Sequence, residues 1–170
     1  LSDDFLGGQL SFGAGYLANS NDAINPVTNS YEEKGLVGRD TRFRVPVQLG
    51  YTSDDGTVIA SLNYIFSNGD TLNCFVGTTL ACNPFYFDTD QINQVGLSLG
   101  WQFYEKISFN AAYNEIWYTS RYDSSVLGVS MVESGDNAKA RSWMVGFIVD
   151  DWIIDDSKIG VAVGNVPYIY

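Results

Sequence analysis

Apolar and polar residues alternate along most of this chain with a period of two, the period of a β-strand whose side chains point to opposite faces. In DTRFRVPVQLGY (40–51), the odd positions from Phe43 to Tyr51 are apolar or aromatic, and the even ones carry arginine, proline, glutamine and glycine. The same alternation runs through 10–16, 57–66, 94–103, 107–114, 142–149 and 159–164. We therefore predict seven strands and almost no helix, each strand about as long as the ~9–11 residues that cross a bilayer at a tilt.

The connections between these segments alternate in length. Residues 52–57, 104–106 and 150–157 form short turns, whereas the stretches near 17–39, 67–91 and 119–139 are long and polar. A meander with short turns at one end and long loops at the other is typical of outer-membrane barrels. The pattern predicts an all-β fold, a transmembrane antiparallel up-and-down β-barrel, with residues 1–170 as one segment of it.

The less apolar face of the predicted strands is mostly small or uncharged, whereas the outer face of a soluble sheet carries many lysines and glutamates. We predict that this face lines a water-filled lumen and that the apolar face contacts lipid. The predicted pore-lining residues are Arg42, Arg44, Gln48, Asn63, Gln94, Ser98, Gln102, Asn110 and Asn114. The two arginines follow a long outer loop, so we expect them in the outer half of the lumen. There they either set a local positive field or brace a folded loop through carboxylates.

Aromatic residues on the apolar face gather near the ends of the predicted strands. This distribution predicts interfacial girdles, since aromatic side chains concentrate where a bilayer meets water. The predicted girdle residues are Tyr16, Tyr51, Phe66, Trp101, Phe103, Tyr113, Trp117 and Trp143. The alternative is that these side chains form the core of a soluble sandwich.

Two positions conflict with this pattern. Pro46 has no backbone N–H to give to a neighbouring strand, so we expect a bulge or a broken ladder bond there. Glu115 falls on the apolar face of its strand, and its place near the loop end makes a position among lipid headgroups tolerable.

Composition narrows the function. The formal charge is −11 with no histidine, which argues against nucleic acid as a partner. No run approaches the ~20 apolar residues of a transmembrane helix, and mean hydropathy is near zero. The chain begins with Leu1 rather than methionine, so we expect either a processed protein or a piece of a longer one.

Cys74 and Cys82 lie close together in a polar stretch. With no histidine nearby they make a poor metal site, and in an oxidising compartment they would close a small loop as a disulfide. The alternative is a pair of free thiols. We expect the disulfide, at the tip of a long outer loop.

Signals for catalysis are weak. GLSLG at 96–100 matches the G-x-S-x-G hydrolase pattern, but that motif needs a strand-to-helix elbow and a histidine base. The acidic pairs 54–55 and 155–156 are typical of solvated turns. We predict that the protein is not an enzyme and that it needs no cofactor or metal.

The closing stretch SWMVGFIVDDWIIDDSKIGVAVGNVP (142–167) resembles the late-barrel hairpin of carbohydrate-selective porins, the cyanobacterial outer-membrane porins in particular. There a strand leads into a short apolar–acidic turn and then into a Gly-rich strand that ends in Gly-x-x-Pro, here Gly164 to Pro167. The resemblance implies a barrel of about 16 strands, either trimeric or monomeric. It also implies passive diffusion of sugars or inorganic ions, iron included, across a bacterial outer membrane of lipid and lipopolysaccharide.

The strand number also predicts a partial barrel, because seven is odd and bacterial single-chain barrels have even numbers. Two other functions remain open on the sequence. One is a small closed barrel with a structural or adhesive role, which would need an eighth strand. The other is a soluble, secreted β-sandwich that binds carbohydrate through exposed aromatic residues.

Overall fold

The computed structural model describes residues 7–18, 24–25, 30–31, 43–68, 81, 84–85, 91–120, 123–126, 129–152 and 156–170. These residues form strands β1 (Gly8–Ala14), β2 (Leu17–Ala18), β3 (Ile24–Asn25), β4 (Ser30–Tyr31), β5 (Phe43–Ser53), β6 (Val58–Asn68), β7 (Gln91–Tyr104), β8 (Ile107–Thr119), β9 (Ser124–Val126), β10 (Val129–Val132), β11 (Asn137–Asp150) and β12 (Lys158–Ile169). The all-β prediction is confirmed.

Seven of these strands build one antiparallel meander. Its order is β1-β5-β6-β7-β8-β11-β12, and the short β2 continues the β1 side of the sheet by pairing with β5. The seven predicted segments all lie within these strands, apart from residues at their ends. In the part of the chain that the structure describes, β1 and β12 are the two edges and do not pair with each other, so this sheet is open.

The connections sort by length as predicted. The three short ones, 54–57, 105–106 and 151–157, follow β5, β7 and β11 and therefore lie at one end of the sheet. The long ones lie at the opposite end, and two of them contain small hairpins, β3–β4 and β9–β10. We call these the turn end and the loop end.

The turn between β5 and β6 is held by one carboxylate. Oδ1 of Asp55 accepts hydrogen bonds from the Ser53 hydroxyl (2.6 Å) and from the backbone N–H (3.0 Å) and hydroxyl (2.9 Å) of Thr57. Gly56 takes φ +71°, a left-handed conformation that glycine adopts without strain. The Ser53 bond, followed by the Thr57 bonds, lowers the pKa of Asp55 below its ordinary value of 3.8, because these bonds favour the charged form.

Pro46 breaks a ladder bond, which was one of the two predicted outcomes. Gly15 donates its N–H to the carbonyl of Pro46 (2.9 Å), but Pro46 has no N–H to return. The ladder with β5 is interrupted at positions 15–16, and this gap separates β1 from β2. The register does not shift, since Ala14 pairs with Val47 and Leu17 with Arg44.

A second proline lies at a true bulge. Between the pairs Arg141–Tyr168 and Trp143–Asn165 the register of β12 shifts by one residue, at the position of Val166 and Pro167. Bulges accommodate a residue that cannot give an N–H to the ladder. On β12, odd-numbered residues up to Asn165 therefore point to the same face as the even-numbered Tyr168 beyond the bulge.

Strands β7, β8 and β11 extend further toward the loop end than the sequence pattern predicted. β7 begins at Gln91, β8 continues to Thr119 and β11 begins at Asn137. The main cluster of buried apolar side chains lies at this end of the sheet: Ala81, Ile92, Ile116, Tyr118 and Ala140, with Phe85, Ala138 and Ile169 packed against it.

Candidate functional site

The strand pairing divides the side chains of the sheet between two faces, because directly opposed residues in antiparallel strands point the same way. One row across the sheet consists of Gln48, Asn63, Gly96, Asn114 and Ser142. The face that carries this row is called the polar face. The neighbouring residues in each strand, including the row Leu49, Leu62, Leu97, Tyr113 and Trp143, form the apolar face.

Hydroxyl and amide groups contact one another across the centre of the polar face. The Ser61 and Ser98 hydroxyl oxygens lie 2.7 Å apart, and Nδ2 of Asn63 donates to the Ser61 oxygen at 3.1 Å. Glycine makes room for these groups, since a Cβ atom at Gly96 would lie 2.5 Å from Oδ1 of Asn114. The result is an uncharged polar strip across several strands.

The predicted pore-lining residues that the structure describes all lie on the polar face, at different heights. Gln48, Asn63 and Asn114 share one row, and Ser98 and Asn110 follow toward the turn end. Gln94 is half-buried opposite Ile65 and Ile116. Gln102 lies at the turn end, where its Nε2 donates to the carbonyl of Glu105 at 2.7 Å.

Charge on the polar face is confined to its two ends. Arg44 is half-buried at the loop end, opposite Ser67. At the turn end Lys158 pairs with Asp150, with 3.2 Å between Nζ and Oδ1. Between these positions the described residues of the polar face include no Asp, Glu, Lys or Arg. Arg42 lies outside the described residues.

Along β7, β8 and β11 the loop end of the polar face is apolar, which the sequence pattern had not led us to predict. Tyr118, fully buried, donates its hydroxyl to the carbonyl of Ala81, so part of the connection between β6 and β7 packs onto this face. The signal was present, since Ile92, Ile116 and Tyr118 continue the alternation of the polar face beyond the predicted strand ends.

None of the described segments covers the apolar face. Its exposed side chains include Phe12 (74% exposed) and Val161 (73%), and the exposed set extends across the sheet: Leu10, Phe12, Leu49, Leu62, Tyr64, Leu97, Leu99, Trp101, Trp143, Phe147, Ile159, Val161 and Val163. Soluble monomers rarely expose apolar patches larger than a few hundred Å². This face therefore needs an apolar neighbour.

Aromatic rings cluster at both ends of the apolar face. At the loop end Phe43 lies between Tyr16 and Phe66, with ring centroids 5.5 and 5.8 Å away, and Trp117 is near the end of β8. At the turn end Trp101 contacts Phe103 (5.4 Å) and Phe109 contacts Phe147 (5.3 Å). Tyr51 is two residues from the end of β5.

The strand-end placement is wrong for Tyr113 and Trp143. Both lie at the middle of their strands, β8 and β11, because these strands run further toward the loop end than predicted. The two side chains are directly opposed in the pairing of β8 with β11.

Glu115 lies on the apolar face, as predicted, and a group of polar side chains surrounds it. Its two oxygens accept hydrogen bonds from Tyr170 (2.6 Å) and Tyr113 (2.8 Å). Arg141 is its opposed residue on β11 and donates from Nε to the Tyr168 hydroxyl at 2.8 Å. The same guanidinium lies 4.4 Å from the Tyr170 ring centroid. We call Glu115, Arg141 and these three tyrosines the Tyr–Arg cluster.

The GLSLG segment lies inside β7, which continues to Tyr104, so the turn that a hydrolase elbow requires is replaced by strand. Among the described residues no three metal-binding side chains lie together. Nor do they include a helix long and apolar enough to span a bilayer. Cys74 and Cys82, the predicted disulfide, lie outside the described residues.

Among the described residues, the fold thus defines an open antiparallel sheet with a polar face that is charged only at its two ends and an exposed apolar face. No family model, curated protein or solved structure matches the chain.

Proposed function

We propose that this sheet is part of the wall of an outer-membrane porin, a water-filled channel for passive diffusion of small hydrophilic solutes and ions. The apolar face contacts lipid, and the polar face lines the lumen. The observation that carries the proposal is the opposition of these two faces within one sheet, across all seven strands.

The energetics of the apolar face support a membrane. Leaving a large apolar side chain in water forfeits roughly 1.5–3 kcal/mol relative to burying it. The exposed set includes Leu62, Leu97 and Phe147, among many others. A bilayer removes this cost for the whole face at once, whereas a soluble sandwich needs a second sheet of similar area.

The strand and loop pattern also fits. The main strands other than β1 are 11 to 14 residues long, enough to cross a bilayer at a tilt. Unpaired backbone groups are costly in lipid, so a spanning sheet must close into a barrel. In the proposal, further strands pair with the open edges β1 and β12 to complete a barrel of about 16 strands, monomeric or trimeric.

The lumen face suggests what passes. Its centre offers neutral hydroxyl and amide groups such as Ser61, Asn63 and Ser98. Such groups replace water hydrogen bonds for sugars and other small polar solutes without selecting a charge. Arg44 contributes a positive charge toward the loop end, and the segment at Ala81 narrows the lumen there.

Lipid contact can be tested by quenching tryptophan fluorescence in the intact protein with lipids brominated along the acyl chain. Trp101, Trp117 and Trp143 all belong to the apolar face. We expect strong quenching by brominated lipid and voltage-independent conductance in a planar bilayer. A monodisperse protein in detergent-free buffer, unquenched by vesicles, would support the soluble carbohydrate-binding sandwich. Quenching without conductance would support the closed structural barrel.

A further inference from the structure

An open groove of about 650 Å³ crosses the apolar face. Ala60 and Ala111 provide small side chains at its centre, and larger side chains such as Leu62, Leu97 and Trp143 border it. Its size falls within the roughly 300–1,000 Å³ of typical ligand sites. The lining on this face is apolar, so the groove suits a hydrocarbon chain.

Two cations lie beyond one border of this groove. Arg141 follows the bordering Trp143 on the same face of β11, about 6–7 Å further toward the loop end, and Lys139 follows at the same spacing. The Tyr–Arg cluster holds the guanidinium against Tyr168 and Tyr170. The Arg141 guanidinium thus belongs to a residue only two positions from the border of the groove.

We propose that this face binds an anionic phospholipid, with an acyl chain in the groove and the headgroup phosphate at Arg141 and Lys139. This inference rests on the proposed function, since it needs the apolar face to lie in a bilayer. The phosphate is chosen because guanidinium N–H groups match phosphate oxygens in a bidentate way. Nε is used by Tyr168, and the two Nη atoms carry four more N–H donors.

The charges around the site favour one anion. Glu115 lies opposite Arg141, and its two oxygens are already hydrogen-bonded to Tyr113 and Tyr170. With Lys139 and Arg141 against Glu115, the site has a net charge of +1. This contrasts with a chain whose formal charge is −11, which repels anionic headgroups from most of its surface.

The test is native mass spectrometry of the intact protein released from nanodiscs of equal parts phosphatidylglycerol and phosphatidylcholine. The wild type should retain one phosphatidylglycerol per chain. The double variant Arg141→Gln with Lys139→Gln should lower this retention about tenfold, because it removes both cations that bind the phosphate. The matched control, Lys106→Gln with Lys158→Gln, removes two lysines at the turn end and should leave retention unchanged.

A second pair of variants separates the groove from the headgroup site. Ala111→Leu fills the groove and should reduce retention of the lipid, whereas Ala162→Leu, on the polar face and outside the groove, should not. Inorganic phosphate should not displace the lipid at concentrations that leave the protein intact, since it lacks the acyl chain. Displacement by phosphate would show a simple anion site and overturn the proposal.

Other outcomes also decide against it. Equal retention of the two lipids by the wild type, with brominated lipid still quenching the tryptophans, would overturn this inference and leave the porin proposal standing. Loss of that quenching would instead remove the porin proposal. Oligomers that dissociate in the Arg141 and Lys139 variant would identify the face as an interface between copies of this chain.

Discussion

The two faces of this sheet are built from the same strands but differ in the polarity and size of their side chains. On the apolar face the large side chains are exposed, and the charged residues that the structure describes there lie toward the loop end, where tyrosine hydroxyls bind both oxygens of Glu115. On the polar face the central side chains are uncharged, and several of their hydroxyl and amide groups bond to one another. Neighbouring residues of one strand therefore belong to different environments.

Packing in a core accounts for little of this residue pattern. Among the residues that the structure describes, the buried apolar cluster is small and lies at the loop end. A soluble protein of this size would bury the large residues of one face together. Here that face is uncovered, and the proposed solvent for it is lipid.

The largest expected effect is the difference between a charge at Leu97 and one at Ser98. In vesicles, Leu97→Arg should lower the free energy of unfolding of the intact protein by about 2–4 kcal/mol, because it places a cation on the proposed lipid-contacting face near the middle of a strand. Ser98→Arg, one residue away on the polar face, should cost roughly 0.5–1.5 kcal/mol for the lost contact with Ser61. Denaturant titration measures both. Equal losses would show that the two faces do not differ in their environment.

A smaller effect is expected where the apolar face tolerates charge. Tyr113→Phe removes one of the two hydroxyls that bind the Glu115 carboxylate. We expect a small loss in the free energy of unfolding, below that for a fully buried bond to a charged group, since these side chains are only half-buried. Tyr64→Phe, whose hydroxyl bonds to the neutral Asn93, is the matched control and should cost less. The same unfolding titration decides, and a larger loss in the control would contradict the role of Glu115.

On the polar face, one charge is expected to affect ion selectivity rather than stability. Arg44→Ala removes a cation at the loop end of the proposed lumen. The channel should become more cation-selective. We expect the reversal potential to shift by roughly a few millivolts to tens of millivolts, a range set by the thermal energy per elementary charge. Lys139→Ala, on the apolar face, should leave the reversal potential unchanged. If both variants or neither shifted it, Arg44 would not set the field of the pore.

The smallest effect is expected at the turn end. The pKa of Asp55 is lowered in the folded protein, so its hydrogen bonds contribute stability above the ordinary pKa of 3.8, and this contribution is lost as the pH falls through the lower folded value. Asp55→Asn should therefore flatten the acid side of the stability curve slightly, while Asp54→Asn, in the same turn, should leave it as in the wild type. Thermal unfolding between pH 2 and 6 gives both curves. An unchanged curve for Asp55→Asn would show that these hydrogen bonds contribute no net stability, because water replaces them equally well.

Much of the fold follows from local sequence signals. The alternation with period two predicted the seven strands, and the sorted connections predicted the meander, because side-chain direction and turn chemistry depend on adjacent residues. Pro46 predicted a broken ladder bond from its missing N–H alone. Polar residues such as Gln48 and Asn114 were placed on one face for the same reason.

Other features were decided by the tertiary structure. Glu115 and Arg141 face each other only because β8 and β11 pair in one particular register, across a long connection. The packing of Ala81 on Tyr118 depends on how a long connection folds back onto the sheet. Tyr113 and Trp143 lie at strand centres rather than at the predicted strand ends, because β8 and β11 extend further toward the loop end than their own sequences indicated. Such contacts are non-local, and their free energy depends on partners that a single strand does not contain.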